Sequence, residues 1–219
     1  MKTTYMRFGF KLIIGLFALF GSLSAHAALE IFACEPEWAA LSKELGGDKV
    51  SIYAATTAKQ DPHRIEARPS LIARTRVADL LVCSGSELEV GWLPVLLQTS
   101  GNDKVQVGKP GYFMASDFAR KLELPTAVDR AHGDVHPYGN PHVQLDPRNI
   151  ARAAKPLAER LAQIDPPNAA YYQARYKDFE SRWGKAIAEW EQRAVPLKGL
   201  RLVPYHKDSV YLIDWLGMV

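Results

Sequence analysis

The sequence has 219 residues, enough for one complete domain and part of a second once a leader is removed. Hydrophobic residues make up 47% of it and charged residues 23%, which is typical of a globular protein and not of a disordered chain. Basic residues alternate with acidic ones along the chain, and this argues against a surface for nucleic acid.

Residues 1–27 have the pattern of a secretory signal peptide, with a basic start, an apolar stretch over residues 12–23 and a small-x-small cleavage site that ends at Ala27. The apolar stretch is short for a membrane span. The formal net charge of +3 resides in three leader residues, namely Lys2, Arg7 and Lys11. We therefore expect an exported, soluble chain from residue 28, and the lack of a cysteine just after the cleavage point argues against a lipid anchor.

Strands and helices alternate in the first part of the exported chain. Strands are predicted at residues 29–34, 50–54 and 79–83, and helices at residues 37–45 and 71–78. This alternation predicts a βαβ lobe with a parallel sheet, in which ligands bind at the carboxyl ends of the strands. A further short strand is predicted at residues 105–107, whereas residues 112–125 show no clear pattern.

A polar loop follows the second predicted strand and ends at His63. Pro62 restricts the backbone directly before the imidazole, and Asp61 or Glu66 could orient the ring. A single loop histidine is more often a surface residue than a ligand. Glu87 and Glu89, after the third strand, are expected to cap the next helix or to face solvent.

His136 and His142 lie six residues apart around a turn rich in Pro, Gly and Asn. A short apolar strand is expected after His142, and Asp146 then reads as the N-cap of a helix that starts at Pro147. A backbone held in place in this way suits a metal ligand, because coordination tolerates little positional error. His136, and with less support His132, could be an auxiliary ligand or a gate.

A long helical region follows. A helix is predicted at residues 149–163, and a second one carries an apolar stripe of helical spacing. The stripe consists of Tyr172, Tyr176, Phe179, Trp183, Ile187, Trp190 and Ala194. We interpret it as packing for a rigid helix. A strand at residues 200–205 then ends at His206, and a helix follows at residues 209–217.

The sequence resembles the metal-binding receptors of bacterial ABC uptake systems for zinc and manganese, the cluster A-I solute-binding proteins. Three short motifs carry the resemblance, in the family's order, over essentially the whole exported chain. They are residues 61–63 with 68–70, residues 140–142 with 145–147, and residues 205–207 with 211–212.

The resemblance implies an α/β fold of two βα lobes with parallel sheets, joined by one long rigid helix, with small lobe motion. We expect the chain to consist of a signal peptide at residues 1–27, an N-terminal metal-binding lobe at 28–147, a helical segment at 148–198 and the incomplete start of a C-terminal lobe at 199–219.

By the same resemblance, His63 and His142 of the first lobe and His206 of the second bind one divalent ion. The family's fourth ligand is a carboxylate late in the second lobe, beyond Val219, so three imidazoles would leave an open position for water. Zn²⁺ is favoured over Mn²⁺ by imidazole ligands and by the Irving–Williams order. The implied protein is a periplasmic monomer, not an enzyme, that delivers its metal to an ABC permease and ATPase.

Cys34 and Cys83 both end predicted strands, which are neighbours in a 2-1-3 strand order. Export favours a disulfide between them, while a thiolate contribution to the metal site stays open. Two other function classes also stay open. A metal-dependent hydrolase would use Glu35 or Glu66 as general base, and a surface adhesin would bind a host component without metal.

Overall fold

The computed structural model describes residues 27–125, 136–204 and 206–219. The predicted leader up to residue 26 and His132 fall outside the described residues. The strands are β1 (Leu29–Ala33), β2 (Val50–Ala54), β3 (Leu80–Cys83) and β4 (Tyr112–Met114). The α-helices are α1 (Pro36–Gly46), α2 (Pro69–Val77), α3 (Leu93–Ser100), α4 (Pro147–Ile164), α5 (Ala169–Ala194) and α6 (Val210–Leu216). In these residues no helix is both long and apolar enough to cross a membrane.

The four strands form one parallel sheet in the order β2-β1-β3-β4. The predicted parallel sheet and the 2-1-3 order of its first three strands are confirmed. All four strands end at the same edge of the sheet, so the loops that follow them meet there.

The sheet has a buried layer on each side, because successive side chains of a strand point to opposite faces. Ile31 and Ala33 of β1 pack into a cluster with α1, α4 and α5. Phe32 and Cys34 pack into a second cluster with α2 and α3. Covering both faces explains why β3 is buried along its whole length and reads as a continuous apolar run.

The fourth strand was mispredicted. Residues 103–105 form a 3₁₀ turn in place of the strand expected at 105–107, because the Asn102 side chain accepts a hydrogen bond from the Lys104 amide and caps the turn. The strand that completes the sheet lies at Tyr112–Met114, in the stretch that showed no pattern. Three residues are too few for a periodic signal.

The long helix is α5, which spans 26 residues and starts three residues before the predicted stripe. Tyr172 and Phe179 are buried against the first lobe, as the stripe predicted. Trp183 is partly buried, and its indole nitrogen donates a 2.8 Å hydrogen bond to the Pro147 carbonyl at the start of α4. The helix is therefore fastened to the lobe along its first half and at the first turn of its neighbour.

The strand predicted at residues 200–205 is absent from its described part, residues 200–204. The backbone of this segment pairs only briefly with the C-terminal residues. The Val219 amide donates to the Leu200 carbonyl at 2.9 Å, and the Leu202 amide donates to the Val219 carbonyl at 2.8 Å. Extended backbone becomes a strand only when a neighbour pairs with it over several residues. Among the described residues this pairing runs only from Gly199, whose amide donates to the Gly217 carbonyl at 2.8 Å, to Leu202.

Candidate metal centre

His63 lies on the loop after β2, within a 3₁₀ turn over Pro62–Arg64. The Asp61 carboxylate accepts a hydrogen bond from the His63 amide at 3.0 Å and caps this turn. The same oxygen lies 2.8 Å from Nδ1 of His63. Because a carboxylate only accepts, Nδ1 carries a proton, and in the neutral ring Nε2 is the nitrogen with a lone pair. Asp61 therefore orients the ring as a metal ligand requires, which is the role predicted for it.

Trp92 holds the His63 loop against the domain. Its ring is fully buried, as expected of a core residue, and its indole nitrogen donates a 2.8 Å hydrogen bond to the Pro62 carbonyl. One side chain thus joins the core to the residue that precedes the imidazole. The sequence signal for this contact was only that Trp92 is large and apolar, so its second role was missed.

His142 is 7% exposed and starts a 3₁₀ turn over Val143–Leu145, where a short strand had been expected. Its backbone amide donates to the Asn140 side chain at 3.0 Å. Burial, followed by the nearby charges of His63 and His206, lowers the pKa of His142 to about 4. The ring is therefore neutral at neutral pH, and this is the form that binds metals.

His206 is solvent-exposed and precedes a 3₁₀ turn over Lys207–Ser209, at the start of α6. Asn140 connects this turn to the first lobe, because its amide donates to the Lys207 carbonyl at 2.8 Å. The Tyr211 hydroxyl donates to the Asn140 carbonyl at 2.7 Å and accepts from the Leu122 amide at 3.1 Å. Asn140 and Tyr211 therefore place His206 beside His142. Sequence reasoning missed both, although both lie in the quoted motifs.

The structure brings together the four described histidines that the sequence singled out, and we call His63, His136, His142 and His206 the histidine cluster. The ring centroid of His63 lies 5.3 Å from that of His136, 5.4 Å from that of His142 and 6.2 Å from that of His206. The centroids of His142 and His206 are 5.8 Å apart. Imidazole nitrogens at these separations can converge on one divalent cation after small ring movements.

Glu35 and Glu89 form a buried carboxyl pair at the carboxyl ends of β1 and β3. Ser84 donates to both, from its amide to Oε1 of Glu89 at 2.8 Å and from its hydroxyl to Oε2 of Glu35 at 3.2 Å. Burial raises the pKa of Glu89 to about 7, and burial with the charge of Glu89 raises that of Glu35 well above its usual value. The expectation that Glu89 caps a helix or faces solvent is wrong, because it accepts the amides that follow β3. Glu35, which was one candidate for the general base of a metal-dependent hydrolase, is part of this buried pair.

Cys34 and Cys83 are joined by a disulfide across β1 and β3, with their Cα atoms 4.8 Å apart. Both cysteines are fully buried, and a Glu89 carboxylate oxygen lies within 4.8 Å of their sulfurs. Sulfur in a disulfide is not a thiolate, so the cysteines do not offer the metal ligand that the sequence left open.

The parallel α/β fold of this chain is also that of a known family. The family model described as ZnuA, zinc-uptake complex component A, periplasmic, matches residues 31–219. The chain belongs to this family. A crystal structure of ZnuA superposes with a TM-score of 0.70 at 24% identity, covering 88% of this chain and 69% of that one. A zinc-bound deletion mutant of ZnuA superposes with a TM-score of 0.71 at 25% identity, covering 88% of this chain and 68% of that one.

Curated relatives carry the names of metal receptors. The metal ABC transporter substrate-binding lipoprotein SloC of Streptococcus mutans is 29% identical over 176 residues, which cover 79% of this chain and 54% of SloC. The manganese ABC transporter substrate-binding lipoprotein PsaA of Streptococcus anginosus is 28% identical over 168 residues, covering 75% and 51%. The chain spans about half the length of these relatives. The ZnuA family thus includes proteins named for zinc and has relatives named for manganese.

Proposed function

We propose that this chain is the metal receptor of an ABC importer, which captures one divalent ion and delivers it to a separate permease and ATPase. The observation that carries the proposal is the convergence of His63, His142 and His206 from three separate loops, with ring centroids 5.4 to 6.2 Å apart. Chance rarely brings three imidazoles from distant positions together, whereas a metal site requires it.

Zinc is the first candidate for the captured ion and manganese the second. The three proposed ligands all offer neutral nitrogen, which suits zinc, whereas manganese favours carboxylate, carbonyl and water oxygens. The low pKa of His142 supports capture at neutral pH, because no proton has to leave that ring before the metal binds. Manganese stays second because relatives such as PsaA are named for it.

We further propose capture in the periplasm by a monomer, in keeping with the predicted leader and with the family's description. His206 is exposed, so the ion enters and leaves on that side of the cluster. The Asn140 and Tyr211 hydrogen bonds tie this side to the first lobe, and α5 connects the two regions as one continuous helix. These contacts favour small movements on binding over a wide hinge closure.

The first test measures metal content and binding stoichiometry of the chain from residue 28, for zinc and for manganese. We expect one zinc per chain, and alanine at His63, His142 or His206 to weaken zinc binding by roughly 100-fold or more, since even residues behind a ligand cost 10- to 100-fold. Lys59→Ala is the matched control, because Lys59 lies on the same loop as His63 and is exposed. A wild type that takes up no zinc, or three silent histidine variants, would contradict the proposal.

A further inference from the structure

The contact between His63 and His136 has the spacing of a metal-binding pair. Their Nε2 atoms lie 3.3 Å apart. Two nitrogens bound to one zinc at about 2.0–2.1 Å, at the tetrahedral angle, are separated by about 3.3–3.4 Å.

The orientation of the His63 ring also suits a metal ion shared with His136. Nδ1 of His63 is engaged by the Asp61 carboxylate at 2.8 Å, and Nε2 of His63 faces Nε2 of His136. The ring spacings fit as well. Four imidazoles around one tetrahedral zinc have centroids roughly 5 Å apart, and His136 lies 5.3 Å from His63 by this measure. This is the shortest of the ring-centroid distances given above for the cluster.

The backbone at His136 is held in place. The Gly139 amide donates to the His136 carbonyl at 3.1 Å, and the Asn140 amide donates to the Leu122 carbonyl at 2.9 Å. Gly139 has a φ of +91°, and a Cβ there would meet the Leu122 carbonyl at 2.9 Å, so the turn requires glycine. The same turn continues into Asn140, which contacts the backbone at His142 and at Lys207. One short segment therefore sets the positions of three imidazoles of the cluster.

We propose that His136 is the fourth ligand of the metal, which makes the site a tetrahedral set of four imidazoles. This inference rests on the proposed function. It differs from the carboxylate that the resemblance implies, because the fourth donor is a nitrogen from the first lobe. Four neutral nitrogens give a site that discriminates for zinc against manganese. The site therefore suits a divalent cation that prefers nitrogen ligands, such as zinc.

The experiment combines coordination and selectivity. X-ray absorption of the zinc-loaded chain from residue 28 should show four nitrogen neighbours at about 2.0–2.1 Å, and Co²⁺ as a substitute should give the intense visible bands of tetrahedral geometry. His136→Ala should lose one imidazole, shift the visible bands of the Co²⁺ form because water takes the vacant position, and bind zinc roughly 100-fold more weakly. Its manganese affinity should change by less than about threefold, because manganese gains little from imidazole.

Two further variants keep the test decisive. His136→Gln preserves a polar side chain without an imidazole and should behave like alanine, which separates ligand loss from misfolding. His136→Asp supplies a carboxylate and should lower the ratio of zinc to manganese affinity. Tyr138→Ala is the control, since Tyr138 lies two residues away on the same loop and is 58% exposed.

The outcomes separate this inference from the proposed function. If the wild type binds no metal, both are overturned. If it binds one zinc that depends on His63, His142 and His206, while His136→Ala leaves the nitrogen count and the zinc affinity unchanged, only the four-imidazole site is overturned. In that case the 3.3 Å contact is a hydrogen bond between two rings.

Discussion

At the scale of single residues, the proposed metal site depends on which nitrogen of each ring faces the ion. Asp61 decides this for His63 by engaging Nδ1, and Asn140 holds the backbone of His142. The motif that contains Asp61, Pro62 and His63 made the first arrangement predictable, because a carboxylate two residues before a histidine can reach its ring. Asn140 was not predictable as a link, because one of its partners, Lys207, lies 67 residues away.

The buried carboxyl pair makes stability depend on pH. Glu89 has a pKa of about 7 in the folded chain, above its ordinary value of 4.5. A raised acid pKa contributes stability that is fully present below the unfolded pKa and is lost as the pH rises through the folded pKa. We therefore expect the free energy of unfolding to decrease between about pH 5 and pH 8, and Glu89→Gln to remove part of this decrease.

Urea unfolding of the metal-free chain across that range would measure the effect. His142 contributes with the opposite sign, because its lowered pKa favours the folded state as the pH rises. Comparing Glu89→Gln with wild type cancels that contribution. Glu66→Gln, at an exposed position, is the control and should follow wild type. Parallel curves for wild type and Glu89→Gln would show that Glu89 does not titrate in this range.

At the scale of elements, helix ends determine where the proposed ligands lie. Asp146 is 1% exposed, caps α4 by accepting the Arg148 amide at 2.9 Å, and also binds the Arg148 guanidinium. The cap and the proline after it were predicted correctly from the sequence, because both are local signals. His142 lies four residues before this cap, so the start of α4 anchors the turn that carries the imidazole.

Asp146→Ala should lower the free energy of unfolding by about 1–2 kcal/mol, the usual cost of removing a helix cap. The loss also leaves the Arg148 guanidinium without its nearest carboxylate. Asp146→Asn retains an oxygen that can accept the Arg148 amide, so it should lose less. Urea unfolding with a chelator present would measure both variants. Equal stability of Asp146→Ala and wild type would show that the cap contributes nothing here.

At the scale of the whole molecule, the disulfide connects residues that are 49 positions apart. Both cysteines lie in the buried cluster between the sheet and helices α2 and α3. The bond thus crosses the first lobe close to the edge from which the ligand loops emerge. A cross-link over a loop of this length stabilises by about 2–4 kcal/mol, mainly by restricting the unfolded chain.

Replacing Cys34 and Cys83 together by alanine should therefore lower the free energy of unfolding by about 2–4 kcal/mol. The zinc stoichiometry should stay at one per chain, because neither sulfur is a ligand in the proposed site. Urea unfolding and metal analysis of the same samples would check both parts. Loss of zinc from a folded double variant would contradict the separation of disulfide and metal site.

The sequence by itself determined the elements whose signals are local. The βαβ alternation, the cap at Asp146 with the proline after it, and the apolar stripe of α5 each arise within a few turns of chain, so periodicity and capping chemistry reveal them. It also singled out His63, His142 and His206. Only the tertiary structure decided that β4 joins the sheet, that residues 200–204 stay outside a sheet, and that Glu89 is buried. These depend on long-range pairing, which local sequence does not encode.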